Sequence, residues 1–331
     1  MANPVLVEVL RGGRVESAHT GAIIVRDADG GVVFSLGDVE RPIYPRSAIK
    51  ALQALPLIES GAADRYGLTN AELALACASH SGEPAHAEAA GLMLAKAGRT
   101  VAALECGSHW PMGEAAARAL ARAGGTPSAL HNNCSGKHAG FVCLSCAMGE
   151  EPAGYVAADH PAMREVIGAV SAMTGSALAE QAPGTDGCSI PTHAIPLSAL
   201  ALGFARFGSG HGLAPLRAAA ARRLREAVAA HPFMVAGTGR FDTRLMQALG
   251  ARAFVKIGAE GVYCASLPER GLGIALKIDC GAGRAAEVAV ARVIEQWLAP
   301  DGAAGEALAA MVRPQLTNWN GIAVGSLRPA F

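Results

Sequence analysis

The chain opens with three runs rich in apolar residues, at about 3–10, 20–27 and 31–37, and they predict three strands. The last two are β-branched and flank Ala28-Asp29-Gly30, where Asp-Gly signals a hairpin. A Pro-bearing segment, RPIYPR (41–46), ends the extended structure. It leads into SAIKALQALPLIESG (47–61), which is apolar at helical spacing and stops at Gly61. From about 70 to 230 the period is helical and the chain is rich in alanine. The windows are 70–79 (with Asn70 as N-cap), 86–97, 113–123, 137–148, 160–174, 196–207 and 215–230. Strand patterns return in RAFVKIG (252–258), GVYCASLP (261–268) and GLGIALKID (271–279). A helix over 284–298 follows, and NWNGIAVGS (318–326) adds one more strand. Strands at both ends and helices between them predict an α/β (α+β) fold, with an antiparallel sheet built from both chain ends and a helical region inserted. Residues 1–60 and 240–331 are expected to form the sheet part, and 61–239 the mainly helical part, of a single catalytic unit over 1–331.

Charge narrows the function. Lys plus Arg and Asp plus Glu each total 28 in 331 residues, so the net charge is zero and nucleic acid is not an expected partner. Apolar residues make up 51% and charged ones 17%, which excludes disorder. No apolar run reaches the length of a membrane span, and MANPVLVEVLRGG lacks the features of a signal peptide. A cytoplasmic protein with reduced thiols and no membrane partner is expected. Only Lys50, Lys96, Lys137, Lys256 and Lys277 are lysines; the other 23 of the 28 basic residues are arginine. A lysine can be neutralised and act as a base, and an arginine cannot. Lys96 reads as an ordinary solvated residue.

Two groups of residues carry candidate chemistry. In the first, Ser47 and Lys50 stand three apart at the start of a helical pattern, on one face. A serine hydroxyl needs a neighbouring base to become nucleophilic, and a desolvated lysine serves. Ser79 lies in a Gly/Pro loop and Lys256 in a late strand. S-x-x-K, a Ser-bearing loop and K-x-G in this order resemble the arrangement of penicillin-recognising serine enzymes. The second group is HNNCSGKHAG (131–140) with PGTDGCSIPTH (183–193). Cys134 and Cys188 read as thiolate metal ligands, with His138, His193, Asp186 or Lys137 completing a site; a Cys nucleophile with a His base is the other reading. Cys143 and Cys146, a lone C-x-x-C, read as core.

NNCSGKHAG, TDGCSIPTHAIPL, FVKIGAEGVYC, GIALKID, YPRSAIKALQALPLI and ASHSGEPAH together resemble the Rhizobium-type L-asparaginases over about residues 5–300. The resemblance implies a serine-β-lactamase-like, glutaminase-like fold, hydrolysis of L-asparagine to L-aspartate and ammonia, and a homodimer. It implies two Ser–Lys pairs, Ser47 with Lys50 and Ser79 with Lys256. It also implies a metal site, usually zinc, at Cys134, Lys137 and Cys188, with Asp186 close by. Ser47 is the expected nucleophile, with Ser79 as the alternative. Arg46 is the candidate for the substrate carboxylate, Asp186 or Glu83 for its amine, and His80 and His138 for further contacts. A glutaminase or other small-amide amidohydrolase is the near alternative; a non-catalytic amino-acid- or metal-binding protein is the distant one.

Overall fold

The computed structural model describes residues 2–331. The chain divides into two compact units. One comprises residues 1–48, 194–212 and 248–331, and the other 49–193 and 213–247.

The first unit is built on an eight-stranded antiparallel sheet. Its order is Gln315–Thr317, Ala323–Pro329, Val5–Arg11, Arg14–Asp27, Leu272–Ile278, Val262–Leu267, Phe254–Ile257, with Val32–Leu36 also paired to Arg14–Asp27. Both ends of the chain enter one sheet, as the strand patterns predict. The second strand begins at Arg14, six residues before the expected start. Gly12 and Gly13, at φ 54° and 78°, make a two-residue turn that pairs Arg11 with Arg14. Residues 14–18 are exposed, so no apolar alternation marked them as strand. The tail forms a hairpin, Gln315–Thr317 with Ala323–Pro329, where one strand was expected. Asn318 holds the turn, its Oδ1 accepting from the Asn320 and Ile322 amides.

The strands Val262–Leu267 and Leu272–Ile278 are buried on nearly every residue, so water meets neither face. The helices Leu197–Ser209 and Gly283–Leu298 pack on them. Glycine permits the first of these contacts. A Cβ on Gly273 would stand 2.0 Å from the Ala201 carbonyl oxygen, and one on Gly208 would overlap the Ser266 hydroxyl. Phe204, Phe207 and Phe254 fill the junction with ring centroids 5.1–6.1 Å apart. Leu197–Ser209 therefore belongs to the sheet unit, although its sequence lies inside the span expected to be helical.

The second unit is helical, and residues 49–60, expected with the sheet, fall in it. The continuous helix expected over 47–61 is broken. Arg46–Ile49 is a 3-10 turn, Lys50–Gln53 and Leu55–Glu59 are separate helices, and Gly61 ends the run at φ 76°. Pro56 has no N–H to donate to the turn before it, so the ladder cannot run through. Asn70 is not the N-cap of its helix; Thr69 is. Thr69 Oγ1 accepts from the Glu72 amide, and Glu72 returns the bond to the Thr69 amide. Lys96 is not merely solvated: its Nζ lies 2.6 Å from the buried Glu72 carboxylate. The helices Phe241–Leu249 and Gly302–Val312 were not foreseen. Among the described residues, no helix is long and apolar enough to cross a membrane.

The contact at Gly273 makes a direct prediction. Both atoms facing its Cβ position, the Ala201 oxygen and the Ala205 nitrogen, are backbone and cannot turn aside. Gly273→Val should destabilise the protein by about 3 kcal/mol or more, read as a lowered urea midpoint.

Candidate active site

Lys50 starts its short helix 1% exposed, and its amine is surrounded by three acceptors. Nζ lies 2.5 Å from the Ala78 carbonyl oxygen, 2.8 Å from Ser79 Oγ and 3.1 Å from Cys134 Sγ. Burial lowers its pKa, and the charge on Lys137 adds to this. Cys134 and Cys188 oppose the shift without reversing it. Once Lys50 loses a proton, two N–H groups can stay on Ala78 and Cys134 while the lone pair meets the Ser79 hydroxyl.

The loop carrying Ser79 is pinned on both sides. The Ser79 amide donates to the Val235 carbonyl and the His80 amide to the Asn133 carbonyl. Asn132 ties in the cysteine loop, its Oδ1 accepting from the Cys134 amide and its Nδ2 donating to the Cys106 carbonyl.

Cys134 and Cys188 come together. The hydrogen bond from Cys188 holds the Cys134 thiol well below its usual pKa, helped by Lys50 and Lys137 against burial. The same bond, with burial, pushes Cys188 up, so Cys134 is the more readily ionised of the two. Lys137 Nζ lies 3.1 Å from Cys188 Sγ, and Asp186 Oδ2 lies 3.9 Å from the same sulfur. Burial lowers the Lys137 pKa, but Cys134, Cys188 and Asp186 outweigh it, and the net shift is upward. The neutral lysine required of a metal ligand is thus not its state here.

Among the described residues, no group of three or more His, Cys, Asp or Glu side chains is placed to hold a metal ion. A metal at this cluster needs Lys137 as a third donor. The donor set fits a soft divalent cation: two sulfurs, one of them with a lowered pKa, and an amine nitrogen whose proton such a cation would displace.

The remaining candidates separate. His80 is fully buried with both ring nitrogens engaged. Nδ1 accepts from the Gly82 amide, so Nε2 carries the hydrogen and meets Ser135 Oγ at 2.9 Å. It has no ring atom left for a substrate. Glu83 is spent on the Thr238 amide and hydroxyl, each at 2.7 Å. Asp186 is half-buried in the loop of the hairpin Gly184–Thr185 with Pro191–Thr192, and its Oδ1 accepts from the Gly187 amide. Tyr155 accepts from the Glu105 amide and so donates to His138 Nδ1 at 2.6 Å. The tautomer is thereby fixed, and His138 Nε2–H is buried without a partner. Cys143 is packed core; burial pushes its pKa up to about 12.

Ser47, Arg46 and Lys256 lie in the sheet unit. Ser47 is half-buried in the 3-10 turn, beside Arg46 in a left-handed conformation at φ 51°. Lys256 is 0% exposed and donates to the Ile257 carbonyl at 2.8 Å. Ser79 Oγ accepts from Lys50 Nζ.

A sequence model of the family described as L-asparaginase II matches residues 7–329. The chain belongs to the L-asparaginase II family. It is accordingly an amidohydrolase with a small-molecule substrate. Among curated proteins, none matches the chain. Solved structures show a faint likeness. A putative β-lactamase from Bacteroides dorei is 16% identical, with a TM-score of 0.40, over 78% of this chain and 84% of its own. A β-lactamase (Mb2281c) from Mycobacterium bovis is 15% identical, with a TM-score of 0.39, over 88% and 95%. A protein called Mglu is 14% identical, with a TM-score of 0.38, over 85% and 69%. Likeness of that degree assigns no chemistry to this L-asparaginase II member.

Two residues of the site carried no role in the sequence reading. Asn132 was visible in HNNCSGKH, next to the cysteine it positions. Tyr155 had no local signal; only the folded chain brings it to His138.

The buried imidazoles give a pH dependence. Burial holds His80 well below 6.5, with His86 and Lys50 adding to it; burial also lowers His86, against the Phe233 carbonyl and Glu83. The unfolded chain binds these protons below about pH 6.5 and the folded chain does not. Stability is therefore full above that pH and falls as the pH drops toward the folded-state values. The urea midpoint should fall between pH 7 and pH 5, and His80→Gln should flatten the fall.

Proposed function

We propose that the protein hydrolyses L-asparagine to L-aspartate and ammonia through a serine hydroxyl activated by Lys50. The observation that carries this reading is the buried Lys50 amine, its pKa lowered by burial, 2.8 Å from Ser79 Oγ. Lys50 takes the Ser79 proton as Oγ bonds to the side-chain amide carbon. The tetrahedral oxyanion collapses, the C–N bond breaks, and the Lys50 ammonium protonates the departing nitrogen. An aspartyl ester remains on Ser79. Lys50 then takes a proton from water as the water oxygen attacks the ester carbon, returns it to Ser79 Oγ as the ester C–O bond breaks, and aspartate leaves.

Asp186, half-buried beside Cys188, is assigned to the substrate ammonium. Arg46, Lys256 and Ser47 enter the proposal from the sequence alone. Zinc would be held by Cys134, Cys188 and Lys137, with Asp186 beside them, and would supply positive charge to polarise a carbonyl. A cytoplasmic homodimer completes the reading.

One observation favours a second assignment of the nucleophile. Ser79 is only 7% exposed, whereas Ser47 is half-buried and stands three residues before Lys50. Ammonia release separates the two. Lys50→Met and Ser79→Ala should each lower kcat by about 10³-fold or more, while Ser47→Ala keeps most of it; the reverse pattern for the serines transfers attack to Ser47. Release from glutamine faster than from asparagine, compared as kcat/KM, would reject the substrate. Elemental analysis of purified protein should find zinc, and Cys134→Ser and Cys188→Ser should each lose it.

A further inference from the structure

Away from the thiol–amine cluster, a cavity of about 370 Å³ opens beside the helix Pro161–Thr174, a volume within the range of small-molecule sites. Arg164, Ile167, Gly168, Leu178, Gln181 and His193 are among the residues lining it. Two of them have no structural reason to be as they are. His193 is 7% exposed, its ring makes no hydrogen bond to any described residue, and neither ring nitrogen is sealed from solvent, so its polar edge faces the cavity. That edge is left for whatever occupies the cavity. Gly168 lies inside a helix, where glycine costs roughly 1 kcal/mol relative to alanine. No close approach within the chain requires it, because a Cβ there would meet nothing within 4 Å. The helix leaves open space where a side chain would stand.

We propose that this cavity binds a small organic carboxylate with an apolar body and a hydroxyl or carbonyl group. The exposed Arg164 guanidinium takes the carboxylate through paired N–H donors. His193 and the Gln181 amide hold the second polar group. Ile167 and Leu178 cover the hydrocarbon, and the bare Gly168 backbone lets it lie close to the helix. No acidic side chain lines the cavity, so an α-ammonium group finds no partner and an amino acid is excluded. The ligand is thus chemically distinct from the asparagine assigned to Ser79 and Lys50.

Isothermal titration of the full chain tests this, with butyrate, benzoate and 4-hydroxybenzoate as probes, inorganic phosphate as the plain-anion control, and saturating L-aspartate present throughout. At least one carboxylate should bind saturably at one per chain. Gly168→Leu should abolish that binding by filling the space, and Arg164→Gln should weaken it by about tenfold or more. If Gly168→Leu does not fold, Arg164→Gln decides alone. The proposal is overturned if no carboxylate binds, if phosphate binds as tightly, or if binding is unchanged in the folded variants.

Discussion

Everything at the candidate site turns on one amine taken out of water. Lys50 is buried, and among the described residues its hydrogen-bond partners are a carbonyl, a hydroxyl and the Cys134 sulfur, with no carboxylate. Burial favours the neutral amine and Cys134 favours the ammonium, and the net effect lowers the Lys50 pKa from its ordinary value. A carboxylate in place of Cys134 would bind the ammonium more tightly and spoil the base. Arginine in place of Lys50 would keep its charge at any accessible pH. The lysine–sulfur contact is thus a way of leaving a buried cation only partly compensated.

That balance requires a rigid surrounding, because small displacements change electrostatic energies steeply in a poorly solvated site. The surrounding is built from side chains that themselves do no chemistry. His80 stacks on His86 at 4.8 Å, and His86 on Phe233 at 4.7 Å, in near-parallel planes. Glu83 clamps Thr238, and Ser81 Oγ donates to the Ala236 carbonyl. These contacts fix the segment 233–238 against the Ser79 loop. The polar residues of ASHSGEPAH are therefore mostly fastenings around one reactive hydroxyl.

The sequence revealed the sheet strands and most long helices because their periods are set by burial on one or both faces. It failed where local chemistry overrode the period. Residues 14–18 are exposed throughout and carry no apolar alternation, and Pro56 interrupts an otherwise continuous helical pattern. Gly302–Val312 begins in a Gly- and Ala-rich stretch with no apolar stripe to mark it. At the site, the pairing of Cys134 with Cys188 was legible from residue type and loop composition. The pairing of Lys50 with Ser79 was not, since spacing along the chain pointed Lys50 to Ser47. His80 and Glu83 were visible as polar residues in the right loop, but only the folded chain shows that their polar atoms are already engaged.

The pairing of Val5–Arg11 with Ala323–Pro329 has a consequence for how this chain reaches its fold. Val5–Arg11 finds that neighbour only after all of the chain between them has been made. Arg14–Asp27 waits nearly as long for Leu272–Ile278. Contacts so distant in sequence are entropically late and make folding slow. During that interval the β-branched strands near the N-terminus stand with open edges, and they are the segments most in need of protection from other chains.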